Sequence, residues 1–430
     1  MPDNLSWSAT DKPTDLSWAK TTTWLLSATV LRNVGLIVIL VMLARLTNQE
    51  TVGRYAIALA ITTPIFVMGQ LGLKNVYLTM QRDFRFRSYL TIQVMTAAAA
   101  LLLSVGIVFV FNRDLLVTVT LVAVVKVADT LSEFFSAPLQ KYHAAPRIFL
   151  AYLASAVLGS GVTGVALVVT QQLDIALAGL ACTSLFVALV LMLWPARRLT
   201  AQHENAAHSA LLPRLDRTSI LRAGFPMGVA GAILALVSSM PQYFLARDHG
   251  EATVGYFVVL LYIFAIVDIF SGTLTQAWIP RARQARQLTT VSDPFHFFKA
   301  TVATTAWWTL ALAPLAVAGL WIMSLLLPVV FGPGYELTLT VAAPLLFGIL
   351  VLPATHFGGT AVAVHNFYVH GITLSIASAS VSLLACLALV PIFGTAGALW
   401  AISLAYGARG VIAIVILYPG ARSRRAAAAS

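Results

Sequence analysis

Apolar runs long enough to cross a bilayer recur along the whole chain, separated by short polar breaks. They fall near 22–46, 53–80, 88–111, 115–140, 148–170, 173–195, 219–246, 253–280, 297–324, 330–355, 368–392 and 395–418. A helix needs roughly 20 apolar residues to traverse the hydrocarbon, so the pattern predicts about twelve transmembrane helices. The short alternating segments of an outer-membrane barrel are absent. Composition agrees, because 59% of the 430 residues are hydrophobic and only 10% are charged. A water-soluble fold would have nowhere to place that apolar surface. The expected class is therefore an all-α polytopic membrane protein.

The first 20 residues carry Asp3, Asp11 and Asp15 and no apolar core, which argues against a cleavable signal peptide. They read as a cytoplasmic tail, with Trp7 and Trp18 near the interface. Cys182 and Cys386 both fall within apolar runs, so no disulfide framework is expected.

The net charge of +11 is distributed by topology and makes no nucleic-acid footprint. Nineteen basic residues, among them Arg82, Arg85, Arg147, Arg197, Arg217, Arg283 and Arg424, gather at one set of helix ends, whereas only Arg45, Arg54, Arg113 and Arg247 mark the other. By the positive-inside rule both termini are expected in the cytoplasm, and the helix count is expected to be even.

The longest polar stretch follows the sixth helix. It divides the chain into a tail (1–20), an N-lobe (21–200), a cytoplasmic linker (201–217), a C-lobe (218–420) and a second tail (421–430). A weak internal repeat supports the division. Ala44-Arg45 and Thr51-Val52-Gly53 recur 202 residues later as Ala246-Arg247 and Thr253-Val254-Gly255, and Trp194-Pro195 is echoed by Tyr418-Pro419. Six helices separate the copies, so the halves share one topology and would be related by a pseudo-two-fold axis along the membrane normal.

Seven ionisable groups fall inside predicted spans, where even the gentlest scale assigns each a cost of about 2.5–3.5 kcal/mol. Lys126, Asp129 and Glu133 share one face of helix 4, and Gln70, Lys74, Tyr77 and Gln81 make a stripe on helix 2. Helix 1 groups Thr29, Arg32 and Asn33; helix 8 aligns Asp268, Ser271 and Thr275; helix 12 holds Tyr406 and Arg409. One reading pairs them internally, Lys126 with Asp129, and Arg32, Lys74 or Arg409 with Glu133 or Asp268. The functional reading is a partly hydrated cavity in which Arg32, Lys74, Lys126 and Arg409 hold an anionic group. Asp129, Glu133 and Asp268 would then balance charge or couple an ion. His356, His365 and His370 have no ligand spacing and are expected to mark a cytoplasmic helix end. The Gly224/Gly228 pair has GxxxG spacing but is read as ordinary packing. No metal is indicated and no cofactor is expected.

Ala44-Arg45-Leu46 through Gly53-Arg54-Tyr55, then Gly69-Gln70-Leu71-Gly72-Leu73, and later Phe331-Gly332-Pro333-Gly334-Tyr335 make a characteristic combination. The chain thereby resembles bacterial Wzx-type polysaccharide flippases of the multidrug/oligosaccharidyl-lipid/polysaccharide (MOP) exporter superfamily. The resemblance implies two six-helix lobes that alternate access around a cationic cavity. Its cargo would be an undecaprenyl-diphosphate-linked oligosaccharide repeat unit drawn from membrane lipid. It also implies neighbours in the membrane, a polysaccharide polymerase and glycosyltransferases. Arg32 matches the family's arginine in the first helix. Helices 13 and 14 of the lipid II flippase branch are not expected. The alternative is a cation-coupled multidrug (MATE-type) antiporter, which would use Asp129, Glu133 or Asp268. A major-facilitator transporter lacks support because Gln81 to Arg87 is not that family's glycine-flanked loop. No catalytic motif or substantial outer loop suggests an enzyme.

Overall fold

The computed structural model describes residues 15–79, 86–206, 217–287, 295–364 and 368–418. Most of both tails, most of the linker, Gln81, Arg82, Arg85 and His365 lie outside the described residues. Thirteen α-helices follow one another: α1 (Asp15–Leu46), α2 (Gln49–Gln70), α3 (Leu73–Thr79), α4 (Phe86–Phe111), α5 (Leu116–Lys141), α6 (Ala145–Thr170), α7 (Leu173–Phe186), α8 (Trp194–Ala206), α9 (Arg217–His249), α10 (Glu251–Gln287), α11 (His296–Phe331), α12 (Leu339–Val364) and α13 (Tyr368–Leu417).

Eleven helical segments among the described residues are long and apolar enough to cross a membrane. The last of these is two crossings. Residues 389 and 397 of a straight helix would stand about 12 Å apart, yet a Cβ at Gly397 would lie 2.2 Å from the Leu389 carbonyl oxygen. The chain doubles back at Gly394, whose φ of 52° and ψ of −124° leave the helical region. Glycine meets no Cβ penalty there. The expected break between 392 and 395 is thus real, and the architecture is the all-α, roughly twelve-crossing bundle expected.

Two departures from the expected helices shape the interior. Helix 2 is interrupted, because Leu71 and Gly72 both adopt left-handed φ of 50° and 57°. Lys74 therefore starts a new short helix, α3, instead of continuing one polar stripe with Gln70. The break is closed locally by the Leu71 N–H, which donates to the Met68 carbonyl, and it packs against α9, since a Cβ at Gly72 would stand 3.1 Å from the Met227 side chain. Helix 6 runs from α7 into α8 through a π-helical stretch, Val187–Leu193, with Met192 fully buried.

Within the first half α1 packs on α6, and α5 on α4 and α7; within the second, α12 and α9 pack on α13. The halves meet chiefly through α2, which lies along α9 and α10. Gly224 and Gly228 are the positions that let α9 approach α2, since a Cβ at either would fall 2.4 or 2.8 Å from the carbonyl oxygens of Leu71 and Met68. The pseudo-symmetric partners α1 and α10 make no comparable contact among the described residues.

Away from the termini the two copies of the internal repeat cross. A Cβ on Gly53 would lie 1.8 Å from the carbonyl oxygen of Glu251, and one on Gly255 would lie 2.1 Å from that of Gln49. Gln49 and Glu251 are themselves 202 residues apart, so the contact is reciprocal about a local two-fold axis. Around it, Arg54 binds Glu251 at 2.7 Å and Glu50 at 3.0 Å. Arg45 Nε donates to the Val330 carbonyl at 2.8 Å, and Gln49 Nε2 to that of Gly334 at 3.0 Å. Two of the three sequence stretches that carry the resemblance, Ala44 to Tyr55 and Phe331 to Tyr335, therefore meet at this distal clamp, whereas Gly69 to Leu73 lies at the other end of α2.

Candidate substrate cavity

The interior charges of the first half converge on Glu133. Arg32 Nη1 reaches Glu133 Oε2 at 2.7 Å, and Lys74 Nζ reaches Oε1 at 2.9 Å. Three elements are needed to place them: α1 carries the arginine, α5 the carboxylate, and the break after α2 swings α3 and its lysine onto α5. Arg32 also lies 5.6 Å over the ring of Tyr152 from α6, a cation–π contact that fixes its plane. Side-chain exposure of 34% for Arg32, 31% for Lys74 and 28% for Glu133 leaves this network open to a solute.

The network borders a cavity of about 460 Å³ lined by Thr29, Asn33, Asn75, Ser136, Gln140 and Tyr152 as well as the three charges. That volume lies within the roughly 300–1,000 Å³ typical of small-molecule sites. Amides, hydroxyls and one aromatic face suit a polyhydroxylated solute. Deeper in the same half, a chamber of about 60 Å³ is lined by Lys126, Asp129, Ser155 and Ser184, and Arg32 and Tyr152 border it from the other side. Lys126 lies within electrostatic reach of Asp129 and Arg32. The common face expected on helix 4 is thus split between two spaces, Lys126 and Asp129 facing the inner one and Glu133 the outer.

Arg409 is not gathered with the other three cations. It extends from the second leg of α13 towards Ser375 Oγ at 3.4 Å, with Tyr406 and Asp268 in electrostatic reach. Asp268 instead binds His356 of α12, Nε2 to Oδ1 at 2.8 Å. His356 was expected at a helix end. It sits eight residues inside α12, where Thr355 ties that helix to the Tyr406 carbonyl of α13 at 2.7 Å. Ser271 and Thr275 are buried, and Thr275 is occupied by the Ser271 carbonyl, so of the helix 8 stripe only Asp268 faces open space.

Cys182 and Cys386 are free thiols, and no group of metal-ligating side chains occurs among the described residues.

A many-helix bundle with two similarly ordered halves and charged groups inside is that of a multi-pass membrane protein, and the comparisons with solved structures give its fold as that of MOP superfamily transporters. The lipid II flippase MurJ in an inward closed conformation is similar at a TM-score of 0.64 and 11% identity, over 92% of this chain and 86% of that one. A variant of the Vibrio cholerae MATE transporter VcmN scores 0.60 at 11% identity, over 95% and 97%. A MOP transporter from Pyrococcus furiosus, whose binding pocket of reverse polarity suggests a different function, scores 0.57 at 12% identity over 96% of each chain. In sequence, the capsular polysaccharide biosynthesis protein CapF of Staphylococcus aureus is 23% identical over 247 residues, 57% of this chain and 61% of that protein. The match thus spans less than two thirds of the relative's length. No family model matches the chain.

Proposed function

We propose that this protein is a flippase that carries an undecaprenyl-diphosphate-linked oligosaccharide across the bacterial inner membrane by alternating access, for cell-surface polysaccharide synthesis. The observation that carries the reading is the pair of cations, Arg32 and Lys74, held on one carboxylate in a polar cavity, with Lys126 beyond them. A diphosphate offers several acceptor oxygens to the same donors, and the amides and hydroxyls around them suit sugar rings. The halves act as lobes. Their distal ends are clamped together in this state, while α1 and α10, which make no comparable contact among the described residues, would give a side route for an isoprenoid tail that stays in lipid. The likeness to CapF favours a polysaccharide cargo, and the basic helix ends support cytoplasmic termini.

The test is transfer of a labelled undecaprenyl-diphosphate oligosaccharide across proteoliposomes holding the purified protein, with ethidium efflux followed in the same vesicles. Protein-dependent lipid transfer without efflux is expected. Efflux without lipid transfer would replace this reading with that of a cation-coupled drug antiporter working through Asp129 or Asp268.

A further inference from the structure

We infer that the Asp268–His356 pair of the second half is a proton-binding site that couples the transport cycle to protons; the coupling rests on the transporter reading above, the binding site does not. The first half holds its charge on arginine and lysine, whereas histidine is the side chain suited to change charge in the physiological range. His356 stands two turns inside α12, and the pair is not sealed by the protein, with 25% of the histidine and 35% of the aspartate side chain exposed.

The geometry separates the two ring nitrogens. With Asp268 ionised, Nε2 must carry the hydrogen donated to Oδ1 at 2.8 Å, which leaves Nδ1 as the acceptor. Nδ1 lies on the side of Gly272, where an added Cβ would make ordinary van der Waals contact at 3.8 Å, so no side chain of that residue covers it. A proton taken from water at Nδ1 makes the imidazolium, and the hydrogen bond to Asp268 becomes an ion pair.

Among the described residues, Arg409 and Tyr406 from α13 lie within electrostatic reach of Asp268. Arg283 and Arg286 stand farther along α10 beside a second polar space, and α11 contributes His296 and Lys299 only at its first turn. Arg409 itself bonds to the Ser375 hydroxyl at 3.4 Å and not to Asp268. Protonation therefore shifts Asp268 from a hydrogen bond with neutral His356 to an ion pair with it. Because Thr355 and the close approach of Gly410 to Ala354 tie α12 to α13, the shift is felt as a changed tie between α10 and the α12–α13 unit.

The experiment uses the full-length protein in proteoliposomes on a solid-supported membrane, first with no cargo. A pH jump should produce a transient charge displacement that His356→Gln and Asp268→Asn both abolish, each checked for normal abundance and elution. Absence of the transient in the wild type, or its survival in both variants, overturns the proton site whatever the cargo proves to be. The second arm measures lipid transfer against a pH gradient. One pH unit biases a one-proton exchange by about tenfold, and the variants should lose that response while keeping exchange without a gradient. Gradient-independent lipid transfer in the wild type overturns the coupling and leaves the flippase reading intact. No lipid transfer beside an intact transient removes the flippase reading and leaves the proton site standing.

Discussion

Glu133 accepts from Arg32 and Lys74 at once, which is the position a phosphate of the cargo would claim. It acts as a stand-in anion in the empty cavity, keeping two cations at membrane depth from standing unpaired. Glu133→Gln should accordingly raise affinity for a soluble isoprenoid diphosphate and slow lipid transfer, because release becomes harder. Arg32→Gln should weaken binding by about tenfold or more, since a hydrogen bond to a charged group contributes about 1.5–3 kcal/mol. Titration of the purified variants with farnesyl diphosphate reads both, and unchanged affinity in Glu133→Gln would remove the stand-in role. The charges themselves are legible in sequence, because an ionisable residue within an apolar run stands out. Their partners are legible only as a set of options: Glu133 is among the partners expected for Arg32 and Lys74, and both bind it, but nothing selects it, for Arg32 and Glu133 are 101 residues apart, and Asp268 and the unexpected His356 are 88 apart. No helical spacing connects such pairs, so His356 looked like an ordinary helix-end histidine until α12 was packed against α10.

At the scale of elements, periodicity located the crossings well because each must be about as long as the hydrocarbon is thick. It could not locate the break at Leu71–Gly72 or the π-helical stretch at Val187–Leu193, since neither interrupts the run of apolar residues around it. The short repeat carried more than its length suggested. Its two glycines are the points where α2 and α10 cross, and each leaves room for the backbone of the other half. Gly53→Ala and Gly255→Ala should each force the helices apart at the distal clamp, with an overpacking cost of about 1–3 kcal/mol. Thermal unfolding in detergent should show a lower midpoint for either variant, and lipid transfer should fall because the clamped state no longer closes. A midpoint equal to the wild type would mean that the crossing is looser than its geometry implies.

For the molecule as a whole, the distal clamp combines close glycine packing with polar contacts that are individually weak. Arg54 is 47% exposed and Glu50 55%, and exposed ion pairs typically contribute only about 0–1 kcal/mol. Such contacts suit an interface that must part in every cycle, because opening it forfeits little while the glycines still allow close closure. Alternating access therefore makes a definite demand on Arg54 and Glu251, which lie on different halves yet touch at 2.7 Å: they must separate whenever the cavity opens to the far side. With Cys182 and Cys386 replaced by alanine, Arg54→Cys and Glu251→Cys joined by a short bifunctional thiol reagent should hold the clamp shut. Lipid transfer in proteoliposomes should then stop, while either single cysteine treated in the same way continues to work. Binding of farnesyl diphosphate should persist in the linked protein, because the cavity beside Glu133 belongs wholly to the first half. Transfer that continues at the full rate with the halves linked would show that the clamp does not part during the cycle, and the cargo would have to pass along the space between α1 and α10 alone.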